Sequence, residues 1–460
     1  MRLQIRRPNP LSTTAPRPPG PSLMSLASLC ARRSREPFTI FAEVSRRYGD
    51  VVNIPIPRPG TPMTLLSHPD HVHHIMTQHY QSYGKHESLR ELVLGEDDVL
   101  PMLEGGEEWK SWRRTLNPHF AESGLAIMSP SMTAAVTERV ATWAAHAGSG
   151  EWIDLEQELA TVIADGSMRL MFGIGLEPDR LQQFMNATRD YGRYALIRGL
   201  MYAAPTFVPR PFRKRGEAAE ATLLAELDRL IGERRTDGPR EVPDVLDSLM
   251  TMPFQGCPEM QHRRLRADLG GLLLAGFETA AEAVSWTIAL LCLNPDALSR
   301  AYAEVDALGG HPVEYRHLAE LPYLRACFDE AQRFQAFPAF IRTAAEDDEI
   351  GGYFIPKGSD VLVSPYGLHR DPRFWPDPLT FTPDRFLPPA KIDRNAFLPF
   401  NIGPHKCMGW RMAYLEGVLT LAAVLQQYTV ELLPGWTPKP KVNHVTVGLV
   451  GGLPARIALR

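Results

Sequence analysis

The sequence predicts a mainly α-helical protein with small β-sheets, on three observations. Residues 269–293 form the longest apolar run, far longer than a strand and without strand alternation. Residues 134–235 are rich in alanine and leucine at helical spacing. The β signals, in contrast, are short and scattered, at 51–55, 64–67, 353–355, 360–364 and 445–458, which suits small mixed sheets beside a helical body. A chain of 460 residues that is 44% hydrophobic and 22% charged can bury a large core.

The first twenty residues carry Arg2, Arg6 and Arg7, then Pro8, Pro10, Pro16, Pro18 and Pro19. They hold no apolar stretch long enough to span a bilayer or form a signal-peptide core, so residues 1–21 are expected to be a flexible or extended arm. The helical region 134–235 is broken by Pro205, Pro209 and Pro211, which frame an apolar linker with Phe207, Val208 and Phe212, followed by Arg213-Lys214-Arg215. The run 269–293 has Glu278 and Glu282 near its middle, where ionisable groups are costly in lipid. A helix through the core of a large domain is therefore expected there, with no transmembrane anchor; His262-Arg263-Arg264-Leu265-Arg266 leads in and Asn294-Pro295 ends it.

A net charge of −4 gives no reason to expect nucleic acid as a partner. The five cysteines, Cys30, Cys257, Cys292, Cys327 and Cys407, show no CxxC pair and no disulfide-like spacing, which fits a reducing compartment. No glycine-rich dinucleotide fingerprint is present, so no fused reductase is expected.

The chemistry concentrates in Phe400-Asn401-Ile402-Gly403-Pro404-His405-Lys406-Cys407-Met408-Gly409. A thiolate that ligates iron needs backbone wrapped closely around its sulfur, which Gly403 and Gly409 permit, while Phe400 can shield it from water. The other use of such a loop is a buried free cysteine. The pattern Phe-x-x-Gly-x-x-x-Cys-x-Gly resembles the haem-ligand signature of the cytochrome P450 family. Three further segments, in the family's order, strengthen the resemblance: Trp109-Lys110-Ser111-Trp112-Arg113, Ala275-Gly276-Phe277-Glu278-Thr279, and Glu330-Ala331-Gln332-Arg333 followed by Pro383-Asp384-Arg385-Phe386, with Asp384 where the family has Glu. Helical spacing puts Trp109 with Arg113, Glu330 with Arg333, and Ala275, Gly276 and Thr279 on shared faces. Taken alone, each of these has a plainer reading as packing or surface charge; a mid-helix threonine often bonds its own i−4 carbonyl.

The resemblance implies a single domain over 22–460 holding haem b, with Cys407 as the metal ligand. Propionates would be held by Arg113, Arg342 and His405, with Trp109 beside them, while Ala275 and Gly276 would make a low wall on the dioxygen side. Thr279 and Glu278 would deliver protons; Ala280 leaves Thr279 the only hydroxyl there. Glu330, Arg333 and Arg385 would form a structural ion triad. Phe277, Ala339, Phe340, Ile341 and Phe207 would line the substrate cavity, Phe207 from a lid. Lys85 and His86 are taken as surface residues. The implied activity is insertion of one oxygen atom from O2 into a hydrophobic small molecule, such as a lipid, terpenoid, steroid or polyketide, in the cytoplasm. Electrons would come from a ferredoxin and an NAD(P)H-dependent ferredoxin reductase, docking near Lys110, Arg114, Lys391, Arg394, Lys406 and Arg411. The rivals are peroxide-driven haem chemistry and a non-catalytic haem or lipid binder.

Overall fold

A computed structural model describes residues 15–33, 38–55, 62–94, 106–202, 204, 208–254, 256–337, 339–443 and 446–460. Phe207 lies outside them. The chain divides into two compact units, each assembled from three separate stretches: 1–86, 336–380 and 392–407 in the first, 87–335, 381–391 and 408–460 in the second.

The first unit is built on a five-stranded sheet. Its strands, in spatial order, are Val51–Ile54, Met63–Leu66, Asp360–Val363, Phe340–Ala344 and Tyr83–Lys85, and only the Met63–Leu66 and Asp360–Val363 pair is parallel. Two apolar clusters cover its opposite faces, one around Val51, Leu66, Val361 and Val363, the other around Val52, Leu65 and Leu362. Side chains alternate along a strand, so neighbours in sequence fall into different clusters. The proline arm is not loose where described: the Pro16 and Pro19 carbonyls accept hydrogen bonds from Phe354 N (3.0 Å) and Asn53 N (2.8 Å). Proline lacks a donor but keeps its acceptor, so a proline-rich strip can still pair along a strand.

The second unit is helical. Its spine is the 35-residue helix Pro258–Cys292, hereafter the central helix, which takes in the basic lead-in as well as the apolar run. Leu155–Phe172, Arg213–Asp237, Pro322–Phe334 and Trp410–Gln427 pack on it, while Glu122–Ala141 packs on Leu155–Phe172 and Trp410–Gln427, and Pro178–Leu200 packs on Arg213–Asp237 and reaches the central helix through Phe184. Proline at the first helical position opens the central helix and the helices Pro178–Leu200, Pro295–Asp306 and Pro322–Phe334, where its missing N–H costs nothing. Its sheets are small: Ile153–Asp154, Pro454–Leu459 and Tyr428–Leu432 in one, Pro440–Asn443 and Thr446–Leu449 in the other. Among the described residues no single helix is long and apolar enough to cross a membrane.

Candidate functional site

In the first unit the cysteine loop is wound by backbone hydrogen bonds, from Lys406 N to Gly403 O (3.0 Å) and from Cys407 N to Phe400 O (2.9 Å). Two residues adopt the left-handed conformation that makes so tight a path possible: Asn401 at φ 60° and Gly403 at φ 74°. Asn401 stabilises its own turn, its Oδ1 accepting from Ile402 N at 2.7 Å. Gly403 is required twice over, because a Cβ there would also lie 1.9 Å from the Met76 carbonyl oxygen. Met76 belongs to a π-helical turn, His74–Gln78, that continues the short helix Pro69–His73. This turn is tied down by His74, whose Nε2 sits 2.7 Å from Asp348 Oδ2, and Asp348 also accepts from Tyr83. The loop's lead-in is held by buried His369, whose Nε2 accepts from Leu398 N at 2.8 Å. The loop ends with Cys407 exposed and not in a disulfide, and His405 meets the Tyr80 ring edge-on at 5.8 Å.

On the strand Phe340–Ala344, Arg342 is only 6% exposed, yet among the described residues its guanidinium meets no carboxylate within ion-pair distance. It donates a hydrogen bond to the neighbouring Ile341 carbonyl (3.1 Å) and lies 5.9 Å from the Phe340 ring centroid. Burial alone pulls its pKa down to about 10. A buried cation in this state calls for an anion, and a propionate meets that need. The exposed thiol on a glycine-wound loop and this unmatched guanidinium together fit a haem.

The same sheet separates three expected substrate residues and corrects one other expectation. Phe340 packs with the Val361 cluster, while Ala339 and Ile341 pack with the Val52 cluster on the other face. His86 is not a surface residue: it is 5% exposed with Nε2 3.3 Å from Asp360 Oδ2. It directly follows the strand Tyr83–Lys85, which pairs with Phe340–Ala344 and so carries it inward.

In the second unit Glu330 is fully buried and receives Arg333 through Nε and Nη2, both at 2.8 Å, and Arg385 Nε at 3.2 Å. The backbone N–H of Thr382 adds a fourth hydrogen bond, at 2.9 Å, that no motif announces. Asp384 turns the other way and forms a bidentate pair with Arg300 (2.8 and 2.9 Å), whose guanidinium lies 3.9 Å from the Tyr323 ring centroid.

On the central helix, Thr279 Oγ1 donates to Ala275 O at 2.9 Å, and Ala275 is exposed although the helix around it is largely buried. Burial pushes the Glu278 carboxyl up to about 7 against the pull of Arg189 and Lys441. A carboxyl so tuned exchanges protons near neutral pH, which suits a relay. Phe277 is 3% exposed and meets the Phe184 ring at 5.9 Å with the planes tilted by 46°; two residues from Ala275, it is turned some 200° round the helix. Gly276 has Met171 Cε 3.2 Å from where its Cβ would be. Trp109 and Arg113 lie on the helix Gly106–Phe120, Trp109 buried and Arg113 half-buried. Arg114, Lys391, Arg394 and Arg411 are exposed; Lys110 pairs with Glu107 at 2.7 Å and Lys406 is half-buried. Gly409 caps the N-terminus of the helix Trp410–Gln427.

Sequence reasoning missed the buried acids that lie outside motifs. Glu416 (1% exposed) accepts from the Ser167 hydroxyl at 2.6 Å and is pushed up to about 8 by burial, and Asp268 (1% exposed) is pushed up to about 7. Their only sequence signal is an acid at an apolar helical position.

A family model described as Cytochrome P450 matches residues 16–454. Cyclooctatin synthase of Streptomyces melanosporofaciens is 29% identical over 439 residues, covering 92% of this chain and 91% of that protein. A putative cytochrome P450 132 of Mycobacterium tuberculosis is 30% identical over 401 residues, 82% of this chain and 84% of its own. Cyclooctat-9-en-7-ol 5-monooxygenase, also of Streptomyces melanosporofaciens, is 26% identical and covers 88% of this chain and 87% of its own. The crystal structure of a cytochrome P450, CYP102L1, superposes with a TM-score of 0.80 at 25% identity, covering 97% of this chain and all of that one.

Proposed function

The chain belongs to the cytochrome P450 family and is a haem- and O2-dependent oxidoreductase of the monooxygenase kind that needs redox partners, and from that premise we propose its residue roles, substrate class and electron source. Haem b is held through Cys407 as thiolate ligand, with propionates met by Arg342, Arg113 and His405. When bound it supplies the reductive activation of dioxygen and the transfer of one oxygen atom to a C–H bond. Trp109 fixes the face of the helix that presents Arg113, and Glu330, Arg333 and Arg385 hold their segment in place. Ala275 and Gly276 leave room beside the central helix. Glu278 takes protons from solvent and Thr279 passes them on from its hydroxyl, which is why a pKa near neutrality is useful there.

The substrate is a hydrophobic small molecule of the terpenoid type. Two relatives support this class, one named for 5-monooxygenation of cyclooctat-9-en-7-ol. Electrons come from a cytoplasmic ferredoxin served by an NAD(P)H-dependent reductase, with Lys110, Arg114, Lys391, Arg394, Lys406 and Arg411 offering the positive charge that an acidic partner needs.

The observation that carries this reading is the loop ending on Cys407, wound through two left-handed residues against the Met76 carbonyl. The ferrous carbon monoxide adduct is expected to show the red-shifted thiolate band, and Cys407→Ser to abolish it. Survival of the band in that variant would overturn the ligand assignment. A screen of cyclic terpene alcohols by the Soret spin-state shift tests the substrate class, and a shift only with linear fatty acids would remove it.

A further inference from the structure

Two buried polar side chains outside the family segments, Asp268 and Arg264, lie in the first third of the central helix with the Trp112 indole of the helix Gly106–Phe120 beside them. Asp268 is 1% exposed, and Arg264, one turn earlier, is 7% exposed. Arg264 Nε stands 3.6 Å from Asp268 Oδ2, beyond hydrogen-bond length, and the guanidinium lies 5.4 Å from the Phe254 ring centroid. Trp112, 4% exposed, brings its indole N–H to the same carboxyl from the facing helix. Among the described residues, Trp112 Nε1, Arg264 Nε and Asp268 Oδ1 complete no hydrogen bond of normal geometry. Burial drives the Asp268 carboxyl up to about 7 although Arg264 and Trp112 both pull it down.

Packing does not call for this arrangement. Apolar residues of similar size would fill the same space at equal or greater stability, because a buried ion pair barely recovers its desolvation cost. What a carboxylate facing an indole N–H adds is direction. Trp112 directly precedes Arg113, and fixing the indole fixes the rotation of the helix and hence where the next side chain points.

We propose that Asp268 is a positioning residue: by engaging the Trp112 indole, with Arg264 supporting its charge, it sets the rotation of the helix Gly106–Phe120 and so the direction in which Arg113 reaches a haem propionate. The proposal rests on the role given to Arg113 above.

The test uses the haem-loaded full chain and follows haem transfer to excess apomyoglobin, alongside the carbon monoxide spectrum and the melting temperature. Asp268→Asn and Trp112→Phe are each made alone and with Arg113→Ala. Each single substitution is expected to speed haem loss about tenfold, the usual scale for a hydrogen bond to a charged group. With Arg113→Ala already present, the same substitutions are expected to change it by less than about twofold, because their effect passes through that arginine. Additive effects, with the acceleration undiminished beside Arg113→Ala, would overturn the proposal, as would unchanged haem loss in both single variants. Should Asp268→Asn fail to fold, Trp112→Phe, which keeps the bulk of the ring, gives the same decision. A parent protein with no thiolate band would sink the haem reading itself, whereas a normal band with additive haem loss sinks the positioning role alone.

Discussion

In the cysteine loop the geometry is carried by the backbone, whereas at residues 275–279 of the central helix it is carried by half-buried side chains. The loop depends on left-handed dihedrals at Asn401 and Gly403 and on a carbonyl that leaves no space for a Cβ. The helix segment has ordinary helical backbone, and its chemistry depends on one hydroxyl bonded to Ala275 O and one carboxyl whose proton affinity burial has raised. A site built from backbone is intolerant of added atoms but indifferent to pH. A site built from half-buried side chains accepts isosteric changes in shape but answers to pH and to the removal of single charges.

The strongest challenge to that contrast is Gly403→Ala, which changes one methyl group. Positive φ and a 1.9 Å approach to Met76 O together are expected to destabilise the first unit by at least about 2 kcal/mol and to empty the protein of haem. Urea unfolding and the haem-to-protein absorbance ratio measure this, and a fully loaded variant of parental stability would show that the loop can relax. Gly409, where among the described residues a Cβ would meet nothing within 4 Å beyond its own chain neighbours, is the control expected to tolerate alanine far better.

On the helix, Thr279→Ala is expected to leave haem content and substrate binding intact while most reducing equivalents go to hydrogen peroxide. Product and peroxide counted per NAD(P)H consumed decide this. A variant as well coupled as the parent would return Thr279 to its bond with Ala275 O alone.

The pH response separates the two regions thermodynamically. Glu278 has a folded-state pKa of about 7 against a reference value of 4.5, so between those limits the unfolded chain releases a proton that the folded one keeps. Stability then falls as pH rises from 4.5 to about 7 and levels off above, by roughly 3 kcal/mol from this residue. Glu278→Gln removes this slope: its melting temperature is expected to match the parent near pH 4.5 and to exceed it increasingly up to pH 7. Parallel pH profiles would mean that Glu278 is solvated in solution. Turnover by the same variant is expected to slow more than substrate affinity changes.

The smallest effect is expected at the exposed cations. Reversing Arg114, Lys391 and Arg411 together should slow reduction by an acidic ferredoxin several-fold at low salt and little at high salt, with substrate binding unchanged, because steering is screened within roughly 10 Å at 0.1 M ionic strength. Stopped-flow reduction rates across a salt series measure it, and rates equal to the parent's at low salt would move the docking face elsewhere.

Much of the candidate site was legible because the chemistry proposed for it requires particular residues at short, fixed spacings. Glu330 and Arg333 lie one turn apart, Ala275 and Thr279 likewise, and the cysteine loop is a single ten-residue stretch. Arg385 was reachable only by resemblance, being fifty-five residues from the carboxylate it bonds. The strand 340–344 was not predicted, and its alternation is what divides Phe340 from Ile341.

The sequence by itself determined the helical class, the long central helix with its stop at Asn294-Pro295, and which groups are candidates for the chemistry, since periodicity, helix breakers and local motifs act over a few residues. Only the tertiary structure decided which of those groups are buried and what faces them. It brought Met76 O against Gly403, left Arg342 without a carboxylate among the described residues, raised Glu278 and set Asp268 beside Trp112. Desolvation and close approach depend on segments far apart in the chain, and a one-dimensional pattern carries no information about the distance between them.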